Sequence, residues 1–100
     1  MTERYTSVFT VPATHPALPG HFPGSPVVPG VVVLDNVLKA TESWRQRPVR
    51  VSGLRQVKFH APLLPMERAE VALETAGDAL RFQVTRDGQL IAQGSFVLGS

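Results

Sequence analysis

One hundred residues suffice for one domain, expected to span 1–100, with a core modest enough that association with another chain would help it. A hydrophobic content of 43% beside 18% charged residues excludes a disordered chain, and a net charge of +2 with one Tyr and one Trp argues against a nucleic-acid binder. Without cysteine there is no disulfide framework, thiolate nucleophile or cysteine metal site, and His15, His21 and His60 lack metal-ligand spacing, so no metal is expected. The chain has no run of ~18 apolar residues and no signal-peptide pattern, so no membrane span is expected and a cytoplasmic protein is the simplest expectation.

In chain order, residues 3–12 carry β-branched and aromatic side chains in partial alternation and predict a strand ending at Pro12. From Ala13 to about Val28 the chain is dense in Pro and Gly and is neither helix nor strand interior. Pro29 and Gly30 then open a helix that runs to Ser43 or Trp44, because Pro is suited to a first helical turn. Val31, Val32, Val33, Leu34, Val37, Leu38 and Ala40 cover most of its circumference, so the first two turns are predicted to be buried on nearly all sides. Arg45 to Arg50 form a basic link. A strand follows over Val49–Phe59, interrupted after it by Pro62 and Pro65. Three more strands are predicted over Arg68–Thr75, Ala79–Arg86 and Gln89–Leu98, with Gly77-Asp78 and Asp87-Gly88 as hairpin turns. An α+β architecture, an antiparallel sheet curled around one central buried helix, is what buries such a helix.

Two stretches carry a resemblance. Residues 20–31, Gly-His-Phe-Pro-Gly-Ser-Pro-Val-Val-Pro-Gly-Val, and residues 57–65, Val-Lys-Phe-His-Ala-Pro-Leu-Leu-Pro, resemble in order and spacing the motifs of the hotdog-fold 3-hydroxyacyl-[acyl-carrier-protein] dehydratases. The resemblance covers essentially the whole chain. It implies a lyase of the fatty acid biosynthesis type that converts 3-hydroxyacyl thioesters of acyl carrier protein or CoA to trans-2-enoyl thioesters without a cofactor. It also implies a homodimer with His21 of one subunit facing Asp35 of the other.

The chemistry needs a base for the C2 proton, a group that handles the departing C3 oxygen, and donors for charge on the thioester carbonyl. The resemblance makes His21 the base, a role suited to a neutral imidazole near physiological pH. It makes Asp35 the helix acid. The apolar neighbours Val33, Leu34, Val37 and Leu38 are expected to strip water from that carboxyl, which suits a group that donates a proton or holds a water. The carbonyl donor is the Gly30 N–H, at a helix N-terminus where backbone N–H groups lack helical partners. Val27, whose carbonyl would orient the His21 ring, Phe22 and Val31 complete the implied substrate-binding set.

The chain departs from the family where Gln commonly follows the helix acid by four positions, since Lys39 stands there. It departs again where Pro-Gly-Asp follows the second motif, since Pro65-Met66-Glu67 stands there. His15 reads as a loop-shaping residue and His60 as a surface or packing residue. Arg45, Arg47, Arg50 and Arg55 would suit an acidic carrier protein, beside the plainer reading of solvated surface charge. Two alternatives stay open: a hotdog acyl thioesterase, in which a helix carboxylate directs water, and a non-catalytic acyl-carrier or partner-binding subunit in which Lys39 marks lost function.

Overall fold

The computed structural model describes residues 3–16 and 27–99. The elements are β1 (Arg4–Thr10), α1 (Gly30–Arg45), β2 (Val51–Phe59), β3 (Arg68–Ala76), β4 (Ala79–Arg86) and β5 (Gln89–Leu98). The strands form one sheet in the order β1-β3-β4-β5-β2, antiparallel at every pairing. The helix lies against one face of it. Among the described residues no helix is long and apolar enough to cross a membrane.

Alternation explains why the sheet packs on the helix. Ala69, Val71 and Leu73 of β3 and Leu80, Phe82 and Val84 of β4 are all at most 2% exposed, two residues apart along each strand. Burying a side chain of this kind contributes about 1.5–3 kcal/mol. Phe82 meets Phe96 of β5 with ring centroids 5.2 Å apart. In β5 the alternation breaks, since Ile91 and Ala92 are both buried. The cause is a register shift, in which Val84 pairs with Ala92 but Thr85 with Leu90, leaving Ile91 as the extra residue of a bulge. The β4–β5 turn sits on Asp87 and Gly88 with φ of 49° and 81°, the positive pair that matches the twist of a two-residue hairpin.

The strand and helix expectations hold with small shifts that have local causes. β1 ends at Thr10 rather than Pro12; beyond it the Val11 carbonyl accepts the Met66 N–H at 2.8 Å, and the Pro12 carbonyl accepts the His15 N–H at 3.0 Å in a turn. Pro29 is the residue before the helix, extended at φ −61° and ψ 147°, and its carbonyl accepts the N–H groups of Val32 and Val33. The helix stops after Arg45 because Gln46 turns left-handed at φ 55° and donates its N–H to the Glu42 carbonyl at 2.7 Å. The Glu42 carboxylate also accepts the Val49 N–H at 3.0 Å, which keeps Val49 out of the sheet and starts β2 at Val51.

One expectation fails. The first two helical turns are not buried on nearly all sides. Val32, Val33 and Val37 point into the core, but Val31 is 74% exposed and Leu34 and Leu38 are only half-buried. Five strands cover one side of the helix and leave the opposite side open. There Val31, Leu34 and Leu38 form an apolar groove with Val51 and Leu54 of β2 and Phe96 of β5. Thr41 is the buried polar side chain of the helix; its hydroxyl donates to the Val37 carbonyl at 2.9 Å and is thereby satisfied.

Candidate active site

The helix N-terminus is built from three segments. The Val28 N–H donates to the Leu63 carbonyl at 2.8 Å, tying the chain ahead of the helix to the turn that follows β2. Phe59, at the end of β2 and half-exposed, lays its ring on Gly30: a Cβ at that position would sit 2.8 Å from the ring's Cζ. Glycine thus lets ring and backbone approach where the first helical N–H groups emerge. Around this contact opens a cleft of about 590 Å³ whose lining includes Val27, Gly30, Phe59, His60 and Leu63. Its walls are chiefly apolar, and its size falls in the range of small-molecule sites.

His60 to Leu63 form the far wall of the cleft, and the turn after them, residues 64–67, is held from behind. The Glu67 carboxylate accepts the Leu64 N–H at 2.7 Å and a bond from Arg86 Nη1 at 2.8 Å. The same Arg86 nitrogen donates to the Pro62 carbonyl at 2.8 Å, and Nη2 to Gln89 Oε1 at 2.7 Å. Met66 takes φ 70° between Pro65 and Glu67. The departure from Pro-Gly-Asp therefore keeps the left-handed turn and the acid beyond it. The Leu64 N–H, with Arg86 as a further contributor against the opposing effect of desolvation, holds the Glu67 carboxyl below its ordinary value of 4.5. A depressed folded value means that Glu67 stabilises the fold fully above the ordinary value, and that this contribution is lost as pH falls below it. In thermal melts from pH 7 to pH 3, Glu67→Gln is expected to melt below wild type at pH 7 and to converge with it at the acid end. Parallel curves would show that the network contributes nothing through ionisation.

The expected site residues fall on two sides of the helix. Val27 and Gly30 line the cleft, while Val31 and Asp35 line the groove. Gly30 and Asp35 lie about 7.5 Å apart along the axis and well round it from one another. His21 and Phe22 lie outside the described residues. The carboxyl of Asp35 does not have the desolvated setting expected for it: its side chain is 53% exposed and pairs with Lys39 Nζ at 3.2 Å. The apolar neighbours in sequence are spread around the helix, so only Val31, Leu34 and Leu38 share the Asp35 side. As an exposed pair four residues apart on a helix, Asp35–Lys39 adds about 0.3–0.5 kcal/mol to stability.

Sequence reasoning missed three features. Phe59 over Gly30 joins residues far apart in sequence, and no local signal announces it. The Asp35–Lys39 pair was readable from its spacing, since an acid four residues ahead of a lysine is a favourable helical pair. His60 is exposed, as expected of a surface residue, but its place on the cleft wall was not foreseen. Arg45, Arg47 and Arg50 border a separate hollow at the other end of the helix.

A single helix gripped by an antiparallel sheet, with its N-terminus opening into an apolar cleft, defines a hotdog-fold protein. Solved structures bear this out. The chain superposes on the dehydratase heterocomplex ApeI:P from Xenorhabdus doucetiae with a TM-score of 0.86 and 24% identity, covering 100% of this chain and 95% of that one. A 1,4-dihydroxy-2-naphthoyl-CoA thioesterase from Synechocystis shares the fold at a TM-score of 0.70 and 18% identity, covering 94% and 79%. Residues 1–95 match the ApeI-like family, described as ApeI dehydratase. The chain belongs to that family and is a dehydratase, a hydro-lyase. It is 30% identical to the 3-hydroxyacyl-[acyl-carrier-protein] dehydratase FabZ of Myxococcus xanthus over 95% of this chain and 71% of the relative. The FabZ of Chlamydia trachomatis serovar D is 32% identical over 88% and 68%.

Proposed function

We infer that the chain dehydrates 3-hydroxyacyl thioesters to trans-2-enoyl thioesters as a homodimer, with acyl carrier protein or CoA carrying the acyl group. The observation that carries this reading is the family match across residues 1–95, which includes the segment 20–31 and its His21. In the proposed reaction the His21 imidazole takes the C2 proton. The N–H groups at Gly30 and Val31 stabilise the charge that grows on the thioester oxygen, as the open end of a helix is suited to do. Asp35 attends the departing C3 oxygen. The resemblance assigns Val27 and Phe22 to substrate binding, and Phe59 walls the cleft beside Gly30.

The separation of Gly30 and Asp35 onto two sides of the helix favours a site shared between subunits. A second copy seated on the groove of Val31, Leu34 and Leu38 would cover apolar surface that a lone chain leaves in water. It would also supply His21 opposite Asp35. β2 is the sheet edge beside this groove, so two copies can meet there without disturbing any strand pairing.

The test is conversion of a trans-2-enoyl thioester, as acyl carrier protein and as CoA derivatives, to the 3-hydroxyacyl product, the reverse of dehydration. Turnover with the thioester bond intact is the expected result. Release of free thiol instead would move the assignment to a thioesterase. Silence on both carriers, with tight binding of the acyl carrier protein, would move it to a partner-binding subunit.

A further inference from the structure

Arg86 closes β4 behind the cleft wall, with its side chain 18% exposed. Its Nη1 donates to the Pro62 carbonyl and to Glu67 Oε1, both at 2.8 Å, and its Nη2 donates to Gln89 Oε1 at 2.7 Å. Glu67 Oε1 in turn accepts the Leu64 N–H at 2.7 Å. That N–H and the Leu63 carbonyl are the two ends of one planar peptide unit. At its other end, the Leu63 carbonyl accepts the Val28 N–H at 2.8 Å. From Val28 the chain passes through Pro29, whose ring holds φ at −61°, into Gly30, the first residue of the helix. Short polar contacts and stiff backbone thus run without a break from the Arg86 guanidinium to the backbone of Gly30. A peptide whose N–H is held by a carboxylate also offers a more polarised carbonyl, which tightens the bond to Val28.

We propose that Arg86 is a positioning residue for the reaction. Through Glu67 and the peptide unit between Leu63 and Leu64 it fixes where the Gly30 N–H points, and so how well that group meets the charge growing on the thioester oxygen. This deepens the dehydratase reading above and rests on it. Arg86 is not among the residues that line the cleft, so its loss leaves every proposed reacting group in place. What changes is aim. Stabilisation of a developing charge by a fixed donor falls steeply when the donor is displaced. The contact to Pro62 makes the same guanidinium the anchor of the preceding peptide unit, so one side chain holds two consecutive peptides of the wall.

Arg86→Met removes the donors and keeps an apolar stem, and Glu67→Leu cuts the same path at its next link. Initial rates of enoyl formation from a 3-hydroxyacyl thioester are taken well below each melting temperature. Both variants are expected to lose at least about tenfold in kcat and to keep KM within about threefold of wild type. Amide hydrogen exchange is expected to quicken more at Val28 than at the buried Val71 and Phe82 of the sheet. A purely structural Arg86 would move the melting temperature and all of these amides together and leave the kcat of folded protein alone. A loss below about tenfold in a folded variant, a rise in KM in its place, or exchange that quickens alike at all three amides overturns the proposal. Where Arg86→Met does not fold, Glu67→Leu carries the same test, and collapse of both variants overturns the proposal because the pair then serves the fold. A silent wild type overturns the dehydratase reading and this proposal with it, while an active wild type beside active variants overturns this proposal alone.

Discussion

An Asp35→Asn protein is expected to keep its fold and to lose about a thousandfold in the hydration of a trans-2-enoyl thioester, and His21→Ala is expected to lose as much. The fold survives Asp35→Asn because the carboxylate is half in water and its pair with Lys39 is worth little. The rate does not survive, because Asn has no acidic proton and presents one acceptor oxygen where the carboxylate presents two. Mixing the two inactive proteins tests the shared site. If His21 of one subunit works with Asp35 of the other, half of a randomised dimer population is mixed. Each mixed dimer then carries one intact site of its two, so about a quarter of the wild-type activity returns. If both residues serve from one subunit, the mixture stays as dead as its parts. Circular dichroism of each variant, unchanged from wild type, is the control that makes the rates readable.

The second large effect is expected at β2. Leu54 is 51% exposed in the single chain and lines the groove, so Leu54→Asp costs the folded subunit little. In the proposed dimer the same carboxylate is pressed against the partner's apolar surface, where an unpaired charge is strongly disfavoured. Sedimentation is expected to show a folded monomer, and activity is expected to fall by at least about 100-fold because Asp35 then faces solvent instead of a partner's His21. A dimer with near wild-type turnover would place the subunit contact elsewhere. A monomeric wild type would point instead to an unlike partner on the groove.

Much of this architecture was readable from local chemistry. Asp87-Gly88 and Gly77-Asp78 mark two hairpins because few residue pairs accept the backbone that such turns require, and both turns connect the expected strands. Pro29-Gly30 marks the helix start for the same kind of reason. What escaped was whatever depends on segments far apart in the chain. The apolar residues of the helix announce that they avoid water, but not whether a strand or another chain covers them. Val31 and Leu38 were therefore expected to lie in a core that the sheet does not extend around them. The doubled burial of Ile91 and Ala92 depends on a bulge against β4, and the desolvation expected at Asp35 fails because its apolar sequence neighbours are spread around the helix and leave the carboxyl half-exposed. Of the proposed site, the order Gly-His-Phe-Pro-Gly through Pro-Gly-Val suggests the parts by resemblance. Phe59 on Gly30 required the fold.

Trp44, the single tryptophan, sits near the closing end of the helix, stacked on Tyr5 of β1 at 5.6 Å between ring centroids with the ring planes nearly parallel at 6°. The Arg45 guanidinium lies 4.6 Å from the centre of its ring. That cluster is about 21 Å along the helix from Gly30, with the buried Val33, Val37 and Ala40 between them. Its fluorescence is thus a gauge of whether the first strand is docked on the helix, insulated from events at the catalytic mouth. Denaturation would register in its emission as a large change, while an acyl thioester entering at Gly30 would pass unseen.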